Sequence, residues 1–167
     1  MRNIVAIGLG AITLLAGLSI TYLSRQQASA QTAEPTGLTI KTSPYSVEET
    51  ETRFKNILEV KGLNLFATVN HDQNALGAEL ELRPTRVIIF GNPKVGTLLM
   101  QCQQTIAIDL PQKVLIWEDE QGQVQLAYND PQYLSDRHQL DGCGTEVVEK
   151  ISEVLNNLTD GALAEPG

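Results

Sequence analysis

Arg86-Val87-Ile88-Ile89-Phe90-Gly91-Asn92-Pro93-Lys94-Val95-Gly96-Thr97 decides how this chain is built. Val87 to Phe90 is a strand-like run of β-branched and aromatic residues, and it breaks at Gly-Asn-Pro. Asn and Pro favour a turn, and the two glycines permit backbone geometry that other residues resist. A buried strand is therefore expected to deliver a tight polar loop, Gly91 to Thr97, to one edge of the fold.

On the N-terminal side of this loop, Leu38 to Thr42 alternates apolar and polar residues and reads as a strand ended by Pro44. Ser46-Val47-Glu48-Glu49 is a capping box. Val47, Phe54, Ile57 and Leu58 then recur on one helical face, and Gly62 stops that helix. Leu63 to Val69 reads as a second strand. Asn70-His71-Asp72 turns into a short helix near Ala75 and Leu76, with Asp72 as its cap. On the C-terminal side, Thr97 to Gln101 reads as a helical turn. Lys113 to Trp117 and Val124 to Tyr128 form a hairpin across the acidic turn Glu118 to Gly122. Pro131 to Arg137 is a short helical segment. Thr145 to Leu158 is the clearest helix, with Val147, Val148, Ile151, Val154, Leu155 and Leu158 on a broad apolar face and Gly161 closing it. The predicted class is α+β, in two layers. A mainly antiparallel sheet runs in the order strand, helix, four strands, helix, with the helices on one face.

Residues 1–30 stand apart from this pattern. Arg2 is followed by an almost uninterrupted apolar run, Ile4 to Leu23, and Ala28-Ser29-Ala30 has the small-x-small form of a cleavage site. An export signal cleaved after Ala30 is the first reading. The run also has the length of a spanning helix, so an uncleaved membrane anchor is the second. Both place the rest of the chain outside the cytoplasm, in the periplasm or its equivalent. Residues 31–37 read as a flexible leader, 38–161 as a single domain and 162–167 as a flexible tail. The formal net charge is −8, and losing Arg2 and Arg25 with a signal makes the mature chain more acidic still. That balance argues against nucleic-acid binding, which needs a basic face. Cys102 and Cys143 are the only cysteines. In an exported chain they are expected to pair, because the flexible Gly142-Cys143-Gly144 can adjust to bridge geometry; two separate buried thiols are the alternative. Two cysteines outside any Cys/His cluster do not complete a metal site, so no metal is expected. A redox cycle is disfavoured by the absence of a C-x-x-C spacing.

The chain also resembles a known family. Tyr45-Ser46-Val47-Glu48-Glu49-Thr50, Phe66-Ala67-Thr68-Val69-Asn70-His71 and Phe90-Gly91-Asn92-Pro93 with Gly96-Thr97 carry the resemblance in its first half. Ile108-Asp109-Leu110-Pro111, Trp117-Glu118-Asp119, Tyr128-Asn129-Asp130-Pro131 and Tyr133-Leu134 with Arg137-His138 carry it in the second. From about Ser43 onward the sequence resembles the domain-of-unknown-function 302 family. The resemblance implies a single-sheet α+β fold of TATA-binding-protein-like topology, commonly a homodimer, and no established reaction or cofactor. The leader and Cys102 depart from the family pattern and suggest an exported branch.

Four residues are candidates for chemistry: His71, Asn92, Thr97 and Asp109. His71 lies at a strand-to-helix switch, where it can act as base, ligand or structural cap. Gly91 to Thr97 has the glycine spacing of a phosphate loop, but Thr97 stands where the lysine belongs. A turn, or a nest of backbone N–H groups for a small anion, fits it better. Asp109 and Asp130 precede Leu110-Pro111 and Pro131 and look like turn-initiating carboxylates. Glu118-Asp119-Glu120 reads as a solvated hairpin tip, and Asn157-Leu158-Thr159 as a glycosylation match without consequence on a helix. The favoured function is a non-catalytic, dimeric binding or assembly module. Its ligand or partner site is expected at the His71 and Gly91–Thr97 loops. The alternative is a hydrolase or isomerase using His71 with a nearby carboxylate. Membrane association is expected only if the N-terminal segment is retained.

Overall fold

The computed structural model describes residues 37–140 and 142–165. The expected signal or anchor, and the leader before Gly37, lie outside the described residues. The elements run β1 (Leu38–Ser43), α1 (Val47–Val60), β2 (Asn64–Asn70), α2 (His71–Gly77), β3 (Thr85–Gly91) and α3 (Pro93–Cys102). A 3-10 turn (Gln104–Ile108) follows, then β4 (Gln112–Glu118), β5 (Val124–Asn129), α4 (Pro131–Arg137) and α5 (Thr145–Leu163). The five strands form one sheet in the order β1-β5-β4-β3-β2, and every neighbouring pair is antiparallel.

Alternation along β3 divides the sheet into two faces. Arg86, Ile88 and Phe90 are buried, whereas Thr85, Val87 and Ile89 are half-buried. The inner face of the sheet meets α1 and α5. Phe54 of α1 meets Phe90 edge-on, with ring centroids 5.1 Å apart. Leu58, Ile116, Leu126, Leu155 and Leu158 complete the same core. Helix α1 starts as its capping box predicts, with Ser46 Oγ accepting from the Glu49 N–H at 3.2 Å. It ends at Lys61 and Gly62, where φ is +64°. On the outer face, the register places Ile40, Ala127, Leu115, Val87 and Val69 in one row across all five strands.

Both domain ends extend past the expected limits. Gly37 is buried, its carbonyl accepts from Asp130 N at 2.8 Å, and its φ of +68° and the Tyr133 ring leave no room for a Cβ. At the other end α5 does not close at Gly161. Ala162 is fully buried, and Arg53 Nε and Tyr45 Oη donate to the carbonyls of Ala162 and Ala164, each at 2.7 Å. Those bonds hold the last turn against α1, so residues 162–164 are not a loose tail.

The hairpin tip is more than solvated charge. Asp119 accepts from Gln121 N, Gln123 N and Gln125 Nε2, each at 2.9 Å. The Gln125 side chain first, then the backbone donors, hold its carboxyl below the ordinary 3.8. A carboxyl lowered by folding contributes stability above the unfolded value, and that contribution disappears as pH falls through the folded one. Asp119→Ala is therefore expected to be less stable than wild type at pH 7, with the difference vanishing below the ordinary carboxylate range. Thermal unfolding of both proteins from pH 7 to pH 2.5 checks this; curves that stay parallel would contradict it.

Candidate functional site

The strand-to-helix switch after β3 is tighter than a loop. Asn92 is the N-cap of α3, its Oδ1 accepting from Lys94 N at 3.0 Å, and Pro93 takes the first helical position. The stretch expected as a polar loop, with a helical turn beginning only at Thr97, is thus a cap and the first turn of α3. Proline at that position hides no backbone donor, since the first turn lacks an intrahelical partner anyway.

This switch walls a cavity of about 450 Å³. Phe66 and Phe90 of the sheet, Val95 and Met100 of α3, and Ile151 and Val154 of α5 make its apolar surface. The Leu110-Pro111 segment, joined by a cis peptide bond, closes another side. Gly91 and Gly96 also line it; a Cβ at either would stand 3.7 Å from Pro111 or Leu110. Among the described residues, the polar side chains in the wall are those of Asn92, Thr97, Gln112 and Lys150. The Cys102–Cys143 disulfide, with Cα atoms 5.8 Å apart, ties the end of α3 to the turn before α5. It therefore staples together the two helices that flank the cavity.

The four candidate residues do not converge. Asn92 and Thr97 lie in the cavity wall. Asp109 turns instead toward α4: its Oδ2 is 2.6 Å from His138 Nε2 and its Oδ1 is 3.3 Å from Arg137 Nη1. Thr105 Oγ1 meets the other ring nitrogen of His138 at 3.2 Å. Lys113 Nζ donates to the Asp109 and Pro111 carbonyls, each at 2.9 Å, and burial, partly opposed by the Asp109 charge, lowers its pKa. These contacts lock the segment that carries Ala107, Leu110 and Pro111 into the wall. Asp130 does not join Asp109; it caps α4 by accepting from Gln132 N at 2.9 Å. Asp109→Ala is expected to cost about 2 kcal/mol, because it leaves buried His138 without its acceptor. Urea unfolding measures this; an unchanged midpoint would mean the cluster is not a lock.

His71 lies elsewhere. It is exposed at the start of α2, next to Asn70, which pairs with Arg86; Gly91 pairs with Asn64 at the far end of β2. The length of β2 separates the two ends by roughly 20 Å. The expected joint site at His71 and Gly91–Thr97 is therefore two places. The carboxylate beside His71 is also committed. Asp72 is not the cap of α2; it pairs with the Arg86 guanidinium and accepts from Thr85 N at 3.3 Å. Arg86 is buried, and Glu48 and Glu51 of α1 each reach it at 3.5 Å. The carboxylate adjoining His71 in the chain is therefore not free to serve it as a partner. Among the described residues, no three His, Cys, Asp or Glu side chains are grouped to hold a metal ion.

Sequence reasoning placed Ile151 and Val154 on the apolar face of the last helix, met Phe66 as part of a family match and gave Met100 no role. It met His138 only as part of a family match. Nothing local in the chain links positions 109 and 138.

The family model for the domain of unknown function DUF302 matches residues 39–158. The chain belongs to the DUF302 family. A solved DUF302 structure, an uncharacterised conserved protein from Bacillus stearothermophilus, superposes with a TM-score of 0.68 at 15% identity. That match covers 76% of this chain and 98% of that one, and it supports the fold. Among curated proteins, the fluoride-specific ion channel FluC 1 of Brucella suis biovar 1 (strain 1330) is 40% identical over 151 residues. That covers 87% of this chain and 59% of the relative. FluC 2 of Brucella melitensis biotype 1 matches at the same identity, over 55% of its length. This DUF302 chain thus spans little more than half the length of the curated relatives it matches. Among the described residues no helix is long and apolar enough to cross a membrane.

Proposed function

We propose that this DUF302 protein is a non-catalytic, extracytoplasmic binding module whose ligand is a small, mainly apolar molecule. The observation that carries this reading is the cavity of about 450 Å³ walled by α3, α5 and the Leu110-Pro111 segment. Its size is that of ordinary small-molecule sites, which are mostly apolar with a few placed polar groups. The lining brings no nucleophile–base pair together, which favours holding over turnover. The N-terminal pattern and the disulfide support a location outside the cytoplasm. Displacement of a fluorescent apolar probe tests the reading. The wild-type protein should bind one probe per chain. Gly96→Leu, which places a side chain into the cavity beside Leu110 and favours the helix, should reduce binding at least tenfold with no loss of stability to unfolding. Equal binding by both proteins would remove the cavity from the account.

Homodimerisation belongs to the same proposal. The aliphatic row Ile40, Ala127, Leu115, Val87 and Val69 on the outer face of the sheet supports a second copy packing there. Light scattering at micromolar concentration should give a dimer, and Val87→Arg a monomer; a wild-type monomer would refute this.

The 40% identity to the Brucella relatives favours a second reading, that the domain works beside a fluoride channel as an accessory chain. Deleting it should then sensitise cells to fluoride, although the purified domain binds none. Unaltered fluoride tolerance would exclude this reading.

A further inference from the structure

The chemistry of the cavity wall narrows the ligand, and this step rests on the cavity being a ligand site. Among the described residues, Lys150 of α5 is the only charged one in the wall, and it makes no ion pair there. Glu146 and Glu153 lie one turn before and one turn after it on α5. The charge in the wall itself is therefore a single ammonium group, on a chain of net charge −8. A multiply charged headgroup or an anionic bilayer surface would meet more repulsion than attraction there. A single carboxylate would not. The apolar part of the wall, Phe66, Phe90, Val95, Met100, Ile151 and Val154, offers an aliphatic chain contact. Of the uncharged polar residues beside it, Asn92 and Thr97 are exposed and Gln112 is half-buried, so none is a fully buried donor that must be matched. Phe66 and Val154 are also exposed to solvent, so the apolar surface reaches the mouth of the cavity.

We infer that the ligand is a single-chain aliphatic carboxylate, its tail in the cavity and its carboxylate at Lys150. The exposed ammonium contributes selectivity more than affinity, because an ion pair in solvent is weak.

Three probes of equal chain length separate the parts of this inference: decanoate, 1-decanol and decylammonium, each below its aggregation concentration and competed against the fluorescent probe. In wild type, decanoate should bind about threefold to fivefold more tightly than decanol. Decylammonium should bind weakest. Lys150→Met should equalise decanoate and decanol without weakening decanol, and Lys150→Arg should keep the order. Lys150 is exposed, so neither variant endangers folding. Decanol binding as well as decanoate to wild type, or a preference that survives Lys150→Met, would overturn the carboxylate assignment while leaving the apolar site intact. Failure of all three probes to bind would overturn the site itself.

Discussion

Replacing Arg86 by Met should destabilise the domain by about 3–5 kcal/mol, because the change strands charges that folding has buried around it. Arg86 faces the core from β3, and its guanidinium is shared by Asp72 of α2 and by Glu48 and Glu51 of α1. The side chains of Asp72 and Glu51 are only 12% and 16% exposed, so water cannot take over the arginine's role. Asp72→Leu alone should also be costly. The double variant Arg86→Met, Asp72→Leu should recover part of the loss, since it removes charge from both sides of the pair. Urea unfolding of the four proteins completes the cycle. Additive losses would show that the cluster does not act as a unit. Probe binding at the cavity should survive in folded Arg86→Met, because the two places sit at opposite ends of the sheet.

Cys102→Ser, paired with Cys143→Ser, is the second large effect. The bridge closes a sequence separation of 41. By the chain-entropy account its removal costs about 4 kcal/mol through the unfolded state alone. Its consequence for the cavity is more specific. Without the bridge, the end of α3 and the start of α5 keep only non-covalent packing, with Leu99 and Val148 in the shared core. The double serine variant should unfold at lower urea concentration and bind the apolar probe several-fold more weakly at temperatures where it is still folded. Unchanged binding in the folded serine variant would mean that the bridge supports the domain but not the site. Two free thiols per chain, counted on denatured unreduced wild-type protein, would remove the bridge altogether.

The architecture was legible because it is written in local patterns. The alternation in β3, the capping box at Ser46, the acidic hairpin turn and the apolar stripe of α5 each act over a few residues, and each formed where its pattern lay. The disulfide was legible for a related reason, since a flexible Gly-Cys-Gly can meet a partner wherever the fold brings it. The site was harder. Gly91 to Thr97 was singled out as a polar loop, yet Asn92 and Pro93 start a helix at once, and the residues behind them make an apolar wall. A cavity is a property of what packing leaves unfilled. Phe66, Met100 and Val154 carry no mark that separates lining from core. His71 drew notice for its chemistry alone, and its neighbour Asp72 was taken by Arg86, fourteen positions away. The Asp109–His138 contact spans a β-hairpin and a helix, and no periodicity encodes it.

The account stands or falls on where an apolar ligand binds. Amide and methyl chemical shifts of the folded protein, followed during titration with decanoate, locate it directly. The account predicts saturating shifts at Phe66, Gly96, Thr97, Met100, Ile151 and Val154, with none at His71, Asp72 or Arg86. Shifts centred on the His71 end of the sheet, or no saturable shifts at all, would contradict it.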